Sequence, residues 1–271
     1  MISKSQTKLI RSLEMKKHRQ REGLFVAEGP KVVGDLLAAG FEPHLLFATE
    51  EWAAPAPLSS ILVTPDELRK LSFLQHPQHV LAVFHIPQLN LKFPLDLWSL
   101  ATGGTQEISN LRSTSGRLLP EGRKNPQLSL ALDGVQDPGN LGTIIRIADW
   151  FGIDTIVCSP DTADAWSPKV VQATMGSIAR VRIVYTDLQE YLSKATVPIC
   201  GTLLDGENIY AQKLPQEAII VMGNEGNGIS PAIRKLVTHR LLIPPFRPGA
   251  ESLNVAIATA ITCSEFRRRT E

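Results

Sequence analysis

The sequence predicts an α/β protein whose larger, C-terminal part is a parallel sheet covered by helices on both faces. From residue 128 onward, near-continuous apolar runs of four to six residues alternate with helical patterns. Strands buried on both faces read in this way. A turn-rich stretch over 91–127 separates that part from a smaller α/β segment over 1–90. The expected division is therefore 1–90, a connection with an inserted loop over 91–127, and 128–271.

In the first segment, residues 28–40 read as a helix. Pro30 suits its first turn, Val32, Val33, Leu36 and Leu37 form an apolar stripe, and Gly40 ends it. Leu45–Ala48 is a short buried strand. Thr64-Pro65-Asp66-Glu67 is a helix start, with Thr64 capping and Glu67 closing a capping box. Val80–Ile86 is a further strand. The connection is punctuated by Gly103-Gly104, Ser113–Gly116, Pro120 and Asn125-Pro126, interleaved with Arg112, Arg117, Arg123 and Lys124. In the second part Leu128–Leu132 is a strand, Leu141–Phe151 a helix stopped by Gly152, and Thr155–Cys158 a strand. Pro168–Met175 is helical, and strands Arg180–Tyr185 and Pro198–Leu203 flank a helix over Leu188–Lys194. Ala218–Met222 is a strand, Pro231–Leu236 a helix capped by Ser230, Arg240–Ile243 the last strand, and Asn254–Arg268 a long closing helix.

Bulk properties narrow the class. With 271 residues and 43% hydrophobic content the chain can bury a core, and no apolar run reaches the roughly 18 residues of a membrane span. Cys158, Cys200 and Cys263 are scattered, with no CxxC pair, so a reduced cytoplasmic protein without structural zinc is expected. The N-terminus lacks a signal-peptide pattern. Net charge is +1, unevenly placed. Seven basic residues against Glu14 and Glu22 give residues 1–22 a charge of +5, which leaves −4 on the rest. A basic arm on a slightly acidic body points to an anionic partner, most often nucleic acid.

Three segments concentrate unusual polar residues at strand-to-helix turns: Asp137-Pro-Gly-Asn-Leu-Gly-Thr-Ile-Ile-Arg146, Gly223-Asn-Glu-Gly-Asn-Gly228 and Glu251-Ser-Leu-Asn-Val-Ala256. Open α/β sheets gather their ligands at such turns. The glycines of 223–228 let backbone N–H groups approach a ligand, but their spacing is not that of a dinucleotide fingerprint. Arg146 lies in an apolar helix, an expensive place for a guanidinium unless it reaches an anion or a pocket mouth. Asn140, Ser252 and Asn254 sit near helix starts, where each, taken alone, reads equally well as an N-cap.

Together these segments resemble, in order and spacing, the three motifs of the SpoU/TrmH family, RNA ribose 2′-O-methyltransferases of the SPOUT class. The likeness covers about residues 128–271. Phe25-Val-Ala-Glu-Gly-Pro-Lys31 resembles the family's N-terminal substrate-binding domain, a ribosomal-protein-L30e-like module. Composition and strand order alone point to a doubly wound Rossmann-like sheet. The resemblance instead implies a C-terminal trefoil knot, with S-adenosylmethionine held among the loops Thr202–Gly206, Met222–Gly228 and Ile243–Leu253. The cofactor-binding residues it implies are Thr202, Leu204, Gly223, Gly228, Ile243 and Leu253, and it implies no metal.

The same resemblance implies Arg146, Asn140, Glu225, Ser252 and Asn254 as the catalytic set. A ribose hydroxyl is a poor nucleophile, so alignment and proton removal are the protein's tasks. Arginine stays charged at any physiological pH. Its expected role is therefore to bind a substrate phosphate and stabilise the developing alkoxide, with Asn140 orienting Arg146 or the ribose. Ribosomal RNA is favoured over transfer RNA, and a homodimer through the helices near 141–151 and 254–268 is implied. The alternatives are a catalytically inactive knotted RNA-binding protein and a nucleotide-dependent oxidoreductase; the absence of an early GxGxxG counts against the latter.

Overall fold

A computed structural model describes residues 2–52, 58–87, 128–247 and 252–268. The basic connection expected over 91–127 lies outside the described residues. Two compact units are formed, and residues Asp164–Arg180 cluster with the N-terminal one.

The N-terminal unit begins with helices α1 (Lys4–Ser12) and α2 (Lys16–Glu22). A capping box between Ser3 and Gln6 starts α1, and Gly23, at φ 64°, ends α2. Next come β1 (Leu24–Glu28), α3 (Pro30–Ala38), β2 (Pro43–Ala48), β3 (Ile61–Leu62), α4 (Pro65–Leu71) and β4 (Val80–His85). The sheet runs β1-β4-β2-β3, antiparallel except for the β2–β3 pair. Alternation along β1 explains its double burial. Leu24 and Val26 join Ile10, Leu13, Leu68, Leu71 and Val83 in one cluster. Phe25 points the other way, 5.7 Å from the Phe84 ring and 4.7 Å from Trp166. The expected capping box at Thr64 forms, with Glu67 N–H donating to Thr64 Oγ1 at 3.2 Å and Thr64 N–H to Glu67 at 3.0 Å.

The expected basic arm is two packed helices, and its charges are partly consumed by the fold. Arg19 is buried. It donates to Asp164 Oδ2 at 2.6 and 3.0 Å and to the Leu13 and Glu14 carbonyls at 2.7 Å. Arg11 donates to the Lys70 carbonyl at 2.7 Å, and Arg21 pairs with Glu22. Lys4, Lys8, Lys16 and Lys17 remain exposed.

Glu28 closes β1 from a buried position, accepting from Ser72 Oγ and, at 2.9 Å, from Phe73 N–H. Burial pushes its carboxyl above the ordinary value near 4.5, and the two hydrogen bonds only partly oppose this. A raised folded-state pKa means the native state binds the proton more tightly. The contribution is therefore fully present at acid pH and is lost as pH rises from about 4.5 through the raised pKa. Glu28→Gln keeps an acceptor for Phe73 and carries no ionisation. Denaturant titrations between pH 4 and 8 should show the variant gaining stability relative to the native protein as pH rises.

The second unit holds a six-stranded sheet in the order β10-β8-β9-β5-β6-β7, every pair parallel. Its elements are β5 (Leu128–Asp133), α5 (Pro138–Trp150), β6 (Thr155–Cys158), β7 (Arg182–Tyr185), α7 (Leu188–Ser193), β8 (Ile199–Asn208), β9 (Ala218–Gly223), α8 (Pro231–Arg234), β10 (His239–Leu242) and α9 (Val255–Arg268). The preceding helix in chain order, α6 (Pro168–Ala173), packs on β1 in the first unit. β5 and β9, at the centre, are buried throughout apart from Asp133. Ser230 occupies the N-cap position of α8, but its hydroxyl makes no cap bond; its N–H instead donates to Asp133 Oδ2 at 2.7 Å. Helix α9 packs on α5 and β9.

Candidate active site

The site is built where β5, β8, β9 and β10 end. After β5 the chain turns at Gly134 (φ 71°) and enters α5 through Asp137. Asp137, not Asn140, is the N-cap: its Oδ1 accepts from Asn140 N–H at 2.7 Å, and Pro138 takes the first helical position. This releases the Asn140 side chain. Its Nδ2 donates to Glu225 Oε1 at 3.0 Å, and its Oδ1 accepts from Asn254 Nδ2 at 2.8 Å. One residue from each of the three motif segments is thereby joined in a single hydrogen-bonded chain.

Glu225 is the hub. Besides Asn140 it accepts from the Gln136 and Asp137 N–H groups, each at 3.2 Å. Partial burial pushes its carboxyl up. The hydrogen bonds from Asn140, from its own N–H, and from Gln136 and Asp137 together outweigh this and hold it below the ordinary range. At neutral pH it is a carboxylate that ties the loop after β9 to the loop after β5. Asn254 serves twice, since its Oδ1 also accepts from Ala256 and Ile257 N–H at 2.9 and 3.3 Å, capping α9. Ser252 is exposed and makes no side-chain hydrogen bond among the described residues.

Arg146 stands apart from this chain. Six residues along an α-helix is about 9 Å of rise and roughly 120° of rotation, so it does not share a face with Asn140, and no hydrogen bond joins them. Asn140 is thus linked to Glu225 and Asn254 rather than to Arg146. Ile144, Ile145 and Ala148 bury the inner side of α5, while Arg146 is exposed, with no partner among the described residues. A guanidinium so placed is free to take an anion.

The residues expected to hold a cofactor lie on the neighbouring loops. Strand β8 pairs with β10 in two registers, Arg240 opposite Gly201 and Leu241 opposite Glu207, so Thr202–Gly206 loops out between them. Gly206 must be glycine there, because a Cβ would lie 2.7 Å from the Leu241 carbonyl carbon. Thr202 Oγ1 reaches the Val221 carbonyl at 3.4 Å and Met222 Sδ at 3.6 Å. After β9, Asn224 and Gly228 pair back on each other, and a Cβ on Gly223 would run into the Gly228 backbone. Ile243 is half-buried; Leu204 and Leu253 are 76% and 51% exposed. Apolar side chains together with the unobstructed backbone of Gly226 and Gly228 suit a purine-bearing cofactor, with a face to cover and an edge to hydrogen-bond.

Asn224, outside the expected catalytic and cofactor-binding sets, also organises the site. Its Oδ1 accepts from Gly226 and Asn227 N–H at 2.9 and 3.0 Å, and its Nδ2 donates to the Gly134 carbonyl at 2.7 Å. The signal was present as an asparagine heading a glycine-rich turn, the setting of an Asx-turn. Thiol chemistry has no place here. All three cysteines are buried, and burial pushes the Cys200 and Cys263 thiols up to about 12 and Cys158 upward as well.

The SpoU rRNA methylase family model matches residues 127–264. The chain belongs to the SpoU rRNA methylase family. An MRM3-like substrate-binding domain model matches residues 4–82, in line with the substrate-binding module expected there. The Bacillus subtilis 23S rRNA (guanosine(2553)-2′-O)-methyltransferase RlmP is 28% identical over 266 residues, 95% of this chain and 94% of that protein. Among solved structures, a TrmH-family protein from Porphyromonas gingivalis is 40% identical, with a TM-score of 0.79 and 99% of both chains covered. An AdoMet-bound rRNA methyltransferase from Sinorhizobium meliloti is 28% identical, with a TM-score of 0.75, covering 99% of this chain and 97% of that one. Expectations of a SPOUT-type parallel sheet, of an RNA 2′-O-methyltransferase and of S-adenosylmethionine as cofactor agree with these members of the SpoU family.

Proposed function

We propose that this chain methylates a ribose 2′-hydroxyl in ribosomal RNA. The observation that carries this reading is the Asn254–Asn140–Glu225 chain, which joins three loops at the ligand edge of the sheet, together with an exposed Arg146 on α5 that has no partner among the described residues. Thr202, Leu204, Gly223, Gly228, Ile243 and Leu253 hold S-adenosylmethionine, which supplies an electrophilic methyl on a sulfonium sulfur. Arg146 binds a phosphate of the RNA and stabilises the alkoxide as the 2′-hydroxyl loses its proton to that phosphate. Asn140 and Asn254, with amide orientations fixed by their mutual bond, position the ribose. Glu225 holds the loops in register and Ser252 lines the entrance. The 2′-hydroxyl itself makes RNA the substrate, because DNA lacks it.

The working unit in this proposal is a homodimer. Trp150 on α5 is 85% exposed and Ile257 on α9 is 52% exposed; large apolar side chains on two packed helices suit burial by a second copy. Residues 1–90 act as the RNA-binding module, 91–127 as a connection and 128–271 as the catalytic domain, working in the cytoplasm. The C-terminal segment forms the trefoil knot; in support, α9, which follows the edge strand β10 in the chain, packs on β9 and α5. The reading is tested by incubating the protein with methyl-labelled S-adenosylmethionine and unmodified ribosomal or transfer RNA. Label should enter ribosomal RNA; label confined to transfer RNA would overturn the substrate choice.

A further inference from the structure

We infer that Phe246 is a stacking platform for an unpaired base of the RNA substrate, positioning the strand for the reaction. The inference rests on the proposed function and adds a residue that the three motifs do not contain. Phe246 is 100% exposed, and Arg247 beside it is exposed with no partner among the described residues. It lies four residues beyond Leu242, the end of β10, at the C-terminal edge where open parallel sheets bind ligands. Pro244-Pro245 precede it. Each proline fixes its own φ and holds the preceding residue extended, so the ring is presented by a stiff stalk.

The ring's complete exposure decides between occupants. Leu204 and Leu253, the other exposed apolar side chains of these loops, each keep part of their surface against the protein; Phe246 keeps none. A ring built to cover a cofactor among the loops would be expected to rest partly on them. An aromatic ring followed by an arginine fits a nucleotide, one face for the base and a cation for its phosphate. Phenylalanine has no polar edge, so the platform accepts any base and fixes position rather than identity.

The test compares Phe246→Ala, Phe246→Leu and Phe246→Trp with the unsubstituted protein, using unmodified 23S ribosomal RNA transcribed in vitro as the probe. The alanine and leucine variants should raise KM for RNA by about 5- to 150-fold, the range set by loss of one base–aromatic stack. Turnover at saturating RNA and affinity for S-adenosylmethionine should stay unchanged. The tryptophan variant should restore KM, with RNA-dependent fluorescence quenching beyond that of the unsubstituted protein. Overturning results are a leucine variant equal to the unsubstituted protein, a loss of cofactor affinity instead of RNA affinity, or a shift in oligomeric state on sizing. An unsubstituted protein that methylates no RNA would sink the proposed function as well. Methylation that is insensitive to Phe246 sinks this inference alone.

Discussion

Replacing Arg146 with alanine is expected to lower turnover by about 10²–10³-fold, the scale of losing one donor to a developing oxyanion, while S-adenosylmethionine binding persists. The expectation follows from where the side chain sits. Ile144, Ile145 and Ala148 provide the buried face of α5, and Arg146 is exposed. Truncating it leaves the helix packing intact, so a loss of rate reports chemistry rather than unfolding. Arg146→Lys should recover only part of the rate, because an ammonium retains the charge but not the planar fork that grips a phosphate. Single-turnover methylation paired with calorimetric titration of the cofactor separates the two effects. Undiminished methylation by Arg146→Ala would remove this residue from the mechanism.

Arg19→Ala should be the most damaging substitution for stability. The guanidinium is buried and joins Asp164 to the carbonyls of Leu13 and Glu14. Removing it leaves a largely buried carboxylate and two carbonyls without their donor, and breaking a buried pair from one side costs about 3–5 kcal/mol. The apparent melting temperature of the whole chain should fall by roughly 6–20 °C. Lys16→Ala, on the same helix but exposed, should leave it unchanged. Differential scanning calorimetry on the three proteins makes the comparison.

Arg19 also marks how far sequence could be read. Charge counting placed it in a basic arm facing a partner, and charge alone cannot separate a guanidinium that meets solvent from one that closes a buried network. Strands β5, β6 and β9 were legible as largely apolar runs, buried on both faces, within a regular alternation of strand and helix. β1 was not: its apolar run, Leu24–Ala27, is short and follows directly on the basic helices, and Glu28 is held by partners more than 40 residues away. At the site, the motif residues were legible but their partners were not. Asp137 and Asn140 are both competent N-caps by type; Pro138 at the first helical position marks Asp137 as the cap, but the partners of Asn140, Glu225 and Asn254, lie 85 and 114 residues away in the chain. The network formed by Asn224 was hidden in the same way, since its bond to Gly134 spans 90 residues.

The central claim is that the methyl group goes to a ribose oxygen. RNA labelled by this protein should be digested with alkali, which needs a free 2′-hydroxyl to cleave the adjacent phosphodiester. Ribose methylation predicts that the label survives in alkali-resistant dinucleotides. Label released in mononucleotides would place the methyl on a base and contradict the account.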